Sequence, residues 1–306
     1  MINMFNKKAV RQDWLRNWKL YAMMIPVLAF YIAFCYKPMY GAIIAFKDFD
    51  PTLGILGSDW VGFENFADFF GSTDFGRVLR NTLNISIQSI IFGFPAPIIL
   101  ALLINELEQK RFAKVVQTIT YMPHFISLVV VCGLIKDFVS DTGVITNLLG
   151  MFGFPQINML QEASMFVPIY VISGIWQEIG WGSIIYLAAL AGVDQELYEA
   201  ASIDGAGRLR QTWSITLPSI MPTIITMFIL KLGSIMNIGF EKIILLYDPM
   251  TYSTADVISS FVYRAGIVNQ DYGFSTAVGL FNSVINFGLI LVANTISRKV
   301  NETSLW

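Results

Sequence analysis

An all-α integral membrane protein is the fold class this sequence predicts, and three observations predict it. Of the 306 residues, 55% are hydrophobic and only 14% charged, where a soluble domain carries about 25% charge. The mean hydropathy is +0.59. Six apolar stretches, at about 20–36, 79–104, 116–136, 167–192, 217–238 and 274–297, are long enough to cross a hydrocarbon core roughly 30 Å thick. Lysine and arginine alternate from loop to loop, and that asymmetry orients the spans.

The first element, residues 1–19, carries Lys7, Lys8, Arg11, Arg16 and Lys19 ahead of an apolar run. It has the charge layout of a secretory signal, but no small-residue cleavage site follows Cys35, and the chain continues Tyr36-Lys37-Pro38. An uncleaved first span is therefore expected. In the segment 37–78, Phe63, Phe66, Phe69 and Phe70 recur at helical spacing and predict a short amphipathic helix against the outer leaflet or the protein.

The loop after the second span holds Lys110, Arg111 and Lys114, the loop after the fourth Arg208 and Arg210, and the tail Arg298 and Lys299. With the amino-terminal five, that places twelve basic residues on one side. The alternate loops hold five: Lys37, Lys47, Arg77, Lys242 and Arg264. Both termini are expected in the cytoplasm. The domain plan is a cytoplasmic segment 1–19, a transmembrane domain 20–297 with a cytoplasmic loop at about 195–218, and a cytoplasmic tail 298–306. Residues 239–273 read as a structured external loop with turn signals at Asp248-Pro249 and Tyr272-Gly273. Cys35 and Cys132 sit in apolar runs with no metal-ligand spacing, and read as chemically idle.

Between the fourth and fifth spans, Glu199-Ala200-Ala201 is followed after three residues by Gly205, then after nine by Ile215, Leu217 and Pro218. Gln195 to Ile203 predicts a helix of small residues that Gly205 breaks, with an amphipathic turn from Leu209 and Pro218 opening the fifth helix. Such a low-bulk helical face suits a groove on a partner protein, with Glu199 fixing register.

This spacing resembles the Glu-Ala-Ala loop of permeases in binding-protein-dependent ABC importers. The resemblance extends to Tyr36-Lys37-Pro38-Met39-Tyr40-Gly41, to Gly180-Trp181 through Glu199, to Gly239-Phe240-Glu241-Lys242 through Pro249, and to Ala277 through Trp306. Those segments are similar to oligosaccharide and polysaccharide permeases of the carbohydrate-uptake branch, the maltose-type F subunit in particular. The resemblance implies a type I ABC importer transmembrane fold. It implies a second homologous permease, two copies of an ABC ATPase and an extracellular solute-binding lipoprotein as partners. It also makes Glu199, Ala200, Ala201, Asp204, Gly205, Leu217 and Pro218 the coupling segment that docks on the ATPase. No Gly-x4-Gly-Lys-Ser/Thr occurs in the chain, so ATP and Mg belong to the partner and no cofactor is expected here.

Ionised groups inside the bilayer cost roughly 2.5–3.5 kcal/mol each and mark candidate sites. Glu178 in the fourth span and Lys231 in the fifth fall near the midplane, facing a cavity and pairing with each other or with cargo; their alternative is a structural ion pair, or polar groups hidden at the seam with a second permease. Neutral candidates for the substrate path are Gln177 on the fourth span, the pair Asn84 and Gln88 sharing one face of the second, and the pair Asn282 and Asn286 sharing one face of the sixth. Asn81 is a further amide in the second span. Their alternative use is hydrogen bonding between helices. Trp176 and Trp181 offer apolar faces to sugar rings or anchor the span at the interface. His124, the sole histidine, has no carboxylate nearby in sequence and no assigned role. An ion-coupled secondary transporter or channel needs no Glu-Ala-Ala loop, and an intramembrane enzyme needs a nucleophile or metal cluster that one histidine does not supply.

Overall fold

The structure is a computed structural model, which describes the backbone of residues 7–301 and the side chains of residues 13–298. Of the amino-terminal segment, residues 1–6 lie outside the described residues, as does Ser304-Leu305-Trp306 of the tail.

Almost all of the chain is helical. In chain order the principal helices are α1 (Asp13–Phe46), α2 (Glu64–Gly71), α3 (Thr73–Asn105), α4 (Lys110–Phe125), α5 (Leu128–Phe138) and α6 (Val144–Met151). They continue with α7 (Ala163–Ala191), α8 (Gln195–Ile203), α9 (Arg208–Leu232), α10 (Phe240–Leu246), α11 (Ile258–Val268) and α12 (Tyr272–Asn301). A two-stranded antiparallel ribbon pairs β1 (Lys47–Asp48) with β2 (Asp59–Trp60).

Among the described residues, α1, α3, α9 and α12 are long and apolar enough to cross a membrane, and the bent pair α4–α5 makes up to five. The six expected stretches therefore do not all appear as uninterrupted apolar helices. The stretch 116–136, expected as one span, is broken by a bend of 99°. The break follows from sequence. Pro123 tightens Met122–Phe125 into a 3-10 turn, and the Ser127 side chain then caps α5 by accepting from the Val130 N–H. The fourth stretch forms α7, whose 29 residues extend about 43 Å at 1.5 Å per residue. Its adjacent Gln177 and Glu178 dilute its hydropathy.

The fifth helix also departs from expectation, since it begins at Arg208 rather than at Pro218. A wide, π-type turn at Thr212–Thr216 ends two residues before Pro218 and carries the helix through. The same device recurs at Ser89–Gly93 before Pro95 and at Tyr31–Tyr36 before Pro38. Proline lacks an N–H, and its ring meets the carbonyl four residues back; a widened preceding turn relieves both problems without ending the helix. The Tyr272-Gly273 turn signal likewise opens α12 rather than a loop.

The predicted phenylalanine helix is α2. It packs on the protein through Phe69, which is fully buried against Phe75, Phe261, Phe274 and Phe281. Asn65 fixes its start by donating to the carbonyls of Ala45 and Lys47 at 3.0 and 3.1 Å. α7 is the central element. It packs along the second half of α3 and against α4, α9 and the segment Tyr252–Ala255. At α4 the approach is so close that a Cβ on Gly180 would lie 2.1 Å from the Thr120 carbonyl oxygen. Only a hydrogen fits there.

Candidate functional site

A cavity of about 530 Å³ opens beside the middle of α7, within the 300–1,000 Å³ range usual for ligand sites. α7 supplies Gly174, Gln177, Glu178, Trp181 and Gly182 to its wall, α3 supplies Ser89 and Phe94, and α9 supplies Lys231. Gly239 and Lys242, from the end of the α9–α10 connection and from α10, close the remaining side.

Four of the residues expected on the substrate path thus share one cavity: Gln177, Glu178, Trp181 and Lys231. Glu178 takes an unforeseen partner. His124 Nδ1 donates to its Oε2 at 3.0 Å, and the imidazole stacks on Trp181 with ring centroids 4.4 Å apart and planes 2° from parallel. Among the described residues no ion pair joins Glu178 to Lys231. The 3-10 turn around Pro123 is what lifts His124 toward α7, so a contact 54 residues apart in sequence was invisible to neighbour inspection.

The other expected residues lie elsewhere. Trp176 is exposed on α7 and does not line the cavity. Gln88 donates to Asn84 within α3, at 3.0 Å, also away from it. Asn282 and Asn286 each donate to Asn237 Oδ1, at 2.9 and 3.0 Å, and Asn286 Oδ1 accepts the Met236 N–H at 3.0 Å. Those two amides clamp the non-helical stretch after α9, the stretch that leads to Lys242. Asn81 is buried and donates to the Asp256 carbonyl at 2.9 Å.

Lys242 is the residue that sequence reasoning missed, having counted it as an external-loop charge. It is 7% exposed. Its Nζ donates to the Tyr170 carbonyl at 3.2 Å and stands 4.8 Å from the centroid of the Tyr170 ring. Burial lowers its pKa to about 8, against small opposing effects of Cys132 and Glu178. The signal available in sequence was a lysine leading directly into the apolar run Ile243-Ile244-Leu245-Leu246.

Away from the cavity, Asp256 is fully buried and joined to Arg264 and Arg77. This cluster ties the α10–α12 connection to α3, as does the Thr82 hydroxyl, which accepts the Ile258 N–H at 2.9 Å.

The Glu-Ala-Ala segment forms α8, capped by Asp194, whose side chain accepts the Glu196 N–H. At its other end Gly205 adopts φ +76°. The Ala206 N–H reaches the Ala201 carbonyl at 2.9 Å and the Gly205 N–H reaches that of Ser202 at 3.1 Å. That is the Schellman arrangement, which requires a left-handed residue and hence favours glycine. The Tyr198 and Thr216 hydroxyls, 2.9 Å apart, and Gln211, which donates to Ser202 Oγ and the Ala206 carbonyl, anchor α8 to the start of α9. Glu199 and Ala200 stay exposed, and Ile203 and Leu209 project apolar side chains 87% and 80% accessible. Leu217 and Pro218 belong to α9. Arg208 pairs with Glu108, tying this segment to the α3–α4 loop.

Comparison with known proteins fits this layout. The chain is 48% identical over 288 residues to Protein LplB of Bacillus subtilis (strain 168), covering 94% of this chain and 91% of that one. It is 43% identical over 288 residues to the polygalacturonan/rhamnogalacturonan transport system permease protein YteP of the same organism, covering 94% and 90%. Among solved structures it superposes, with a TM-score of 0.88 and 46% identity, on a chain of a bacterial ABC transporter involved in the import of the acidic polysaccharide alginate, covering 96% of this chain and 99% of that one. Residues 93–302 match the family described as binding-protein-dependent transport system inner membrane component. The chain belongs to that family of membrane transport components.

Proposed function

We propose that this chain is one permease subunit of an ATP-driven, binding-protein-dependent importer, and that its cargo is oligosaccharide derived from acidic polysaccharides. The observation that carries the proposal is the cavity at mid-length of α7, with an aromatic face, an amide and a carboxylate on the α7 wall and a lysine from α9, in a chain of this transport family. Trp181 offers its apolar surface to a sugar ring, and Gln177, Glu178 and Lys231 offer hydrogen bonds to hydroxyls. The names of the relatives, with polygalacturonan and alginate as cargo, support the substrate class.

In this reading six spans cross the membrane, α4–α5 serving as one bent span and α7 as another, with both termini in the cytoplasm. The segment 1–19 and the tail 298–306 flank the transmembrane domain 20–297. α1 exposes apolar residues along its length, which suits lipid and a second homologous permease. Two ABC ATPases holding ATP and Mg, and an extracellular solute-binding lipoprotein, complete the assembly. α8, Asp204 and Gly205 form the knob that enters the ATPase, with Leu217 and Pro218 at its base. ATP binding there shifts the cavity between outward- and inward-facing states.

The test is uptake of labelled oligosaccharides by a strain lacking this gene, with and without complementation, and cross-linking from Ala200→Cys to the co-purified ATPase. Uptake restored by the gene and a cross-link to the ATPase support the proposal. A cross-link reaction only from outside the cell would overturn it.

A further inference from the structure

Lys242 presents a physical problem that the rest of the fold does not resolve. Its side chain is nearly wholly buried, yet among the described residues no carboxylate lies within 4.0 Å of it. The Tyr170 carbonyl accepts from it, and the Tyr170 ring faces it. An ammonium carries three donors, and one carbonyl with one ring leaves it short of partners. Removing such a cation from water costs several kcal/mol unless an anion or further acceptors return the energy. A methionine would fill the same volume without that cost.

The cavity supplies the missing partner's location. Lys242 lines it, beside Gly174 and Gly239. A Cβ on Gly174 would already touch Nζ at 3.5 Å, so glycine at that position keeps the ammonium uncapped toward the cavity. The acid on the same wall, Glu178, holds His124 through Oε2 and forms no ion pair with Lys242. Lys231 adds a second positive charge, but its side chain is exposed where that of Lys242 is buried.

Building on the reading of this cavity as the cargo path, we propose that Lys242 is a specificity-determining residue of the permease, the buried cation that takes the carboxylate of a uronate unit as its counter-ion. A buried charge discriminates strongly because its field is weakly screened, and because a neutral sugar leaves it unpaired.

The experiment uses the complete transporter in proteoliposomes with its binding protein and ATP. The probes are tetragalacturonate and the same tetrasaccharide as its methyl ester, equal in length but without charge. Wild type is expected to take up the acid at least tenfold faster than the ester. Lys242→Met should reduce uptake of the acid tenfold or more and bring the acid-to-ester ratio to within twofold of one, and Lys242→Arg should keep the preference. Because the receptor is the same throughout, a changed ratio belongs to the permease. The same probes titrated onto the receptor-free complex in nanodiscs should show the same change in relative affinity.

A wild type that transports both probes equally, or a Lys242→Met complex that assembles and keeps the preference, would overturn the inference. Should Lys242→Met fail to assemble, Lys242→Gln and the wild-type nanodisc ratio decide it. Transport of the ester with exclusion of the acid sinks the role of Lys242 and leaves the importer standing. Transport of no glycan at all sinks both.

Discussion

Asp256 and Arg264 form a two-pronged ion pair, Nη1 to Oδ1 at 2.7 Å and Nη2 to Oδ2 at 2.6 Å, with the carboxylate fully buried. Arg77 of α3 adds a third contact at 3.1 Å and Ser260 donates to Oδ1 at 2.8 Å. The carboxylate holds the Arg264 guanidinium further above its ordinary pKa. The pair therefore fastens the α10–α12 connection to the bundle. Removing Arg264 leaves the buried carboxylate with only the single Arg77 contact and the Ser260 hydroxyl, and breaking a buried pair costs up to about 3–5 kcal/mol. Arg264→Met should lower the thermal midpoint of the purified transporter markedly, and the double variant Arg264→Met with Asp256→Leu should recover part of the loss. Equal midpoints for the single variant and wild type would show that the pair is not structural.

Gly205 tests the coupling knob. A side chain in the left-handed region costs roughly 1–2 kcal/mol, and here it would also loosen the Schellman closure of α8. Gly205→Val is expected to insert and assemble normally but to lose cargo-stimulated ATP hydrolysis and uptake tenfold or more. Normal stimulated hydrolysis in an assembled variant would count against a docking role for this segment.

His124 and Glu178 test the cavity wall. Glu178→Gln can still accept a hydrogen bond from His124, whereas Glu178→Ala cannot. Uptake should fall several-fold more in the alanine variant than in the glutamine variant, since the contact's geometry, more than its charge, holds the imidazole against Trp181. Identical losses in the two variants would indicate that the carboxylate acts directly on cargo.

Gly180→Ala should be among the most damaging single-methyl changes in the protein. With 2.1 Å to the Thr120 oxygen, α7 and α4 must separate, and overpacking of this kind costs about 1–3 kcal/mol. The expected readout is a lower yield and midpoint of the assembled complex. Gly279→Ala, whose Cβ meets nothing within 4 Å, is the control and should behave as wild type.

The lowered pKa of Lys242, about 8, gives a pH prediction with a definite sign. The ammonium is present below that value and lost above it, so uptake of an acidic oligosaccharide should fall as pH rises from 7 to 9. Stability should not fall with it: between about 8 and the unfolded value the unfolded chain binds more protons, so stability rises with pH. The groups that act on Lys242 are Tyr170 and Glu178 from α7 and Cys132 from α5. Lys242→Arg keeps its charge and should flatten the uptake profile over the same window. An unchanged profile in that variant would place the titration elsewhere.

Much of this architecture could be read from one-dimensional pattern because its causes are local. The α8 helix and its stop at Gly205 follow from small residues, an Asp194 cap and a glycine, all within a dozen positions. The amphipathic α2 follows from phenylalanine spacing. Proline was harder to read. Pro123 belongs to a break in the third stretch, whereas Pro38, Pro95 and Pro218 are absorbed by wide turns. The outcome depends on what packs against the freed carbonyls, which sequence spacing does not encode. The amides divided for the same reason. Asn282 and Asn286 read equally well as cargo ligands or helix clamps, until Asn237 appeared between them.

The sequence by itself determined a helical membrane protein, the positions of its apolar stretches and the exposed Glu-Ala-Ala helix with its glycine stop, because each rests on transfer free energy or backbone preference of neighbouring residues. Only the tertiary structure decided that His124 meets Glu178, that Asp256 gathers Arg77 and Arg264, and that Lys242 leaves its loop to stand in a cavity wall. Those are pairings across 8 to 179 positions, and a buried charge acquires its partner from whichever helix the packing brings beside it.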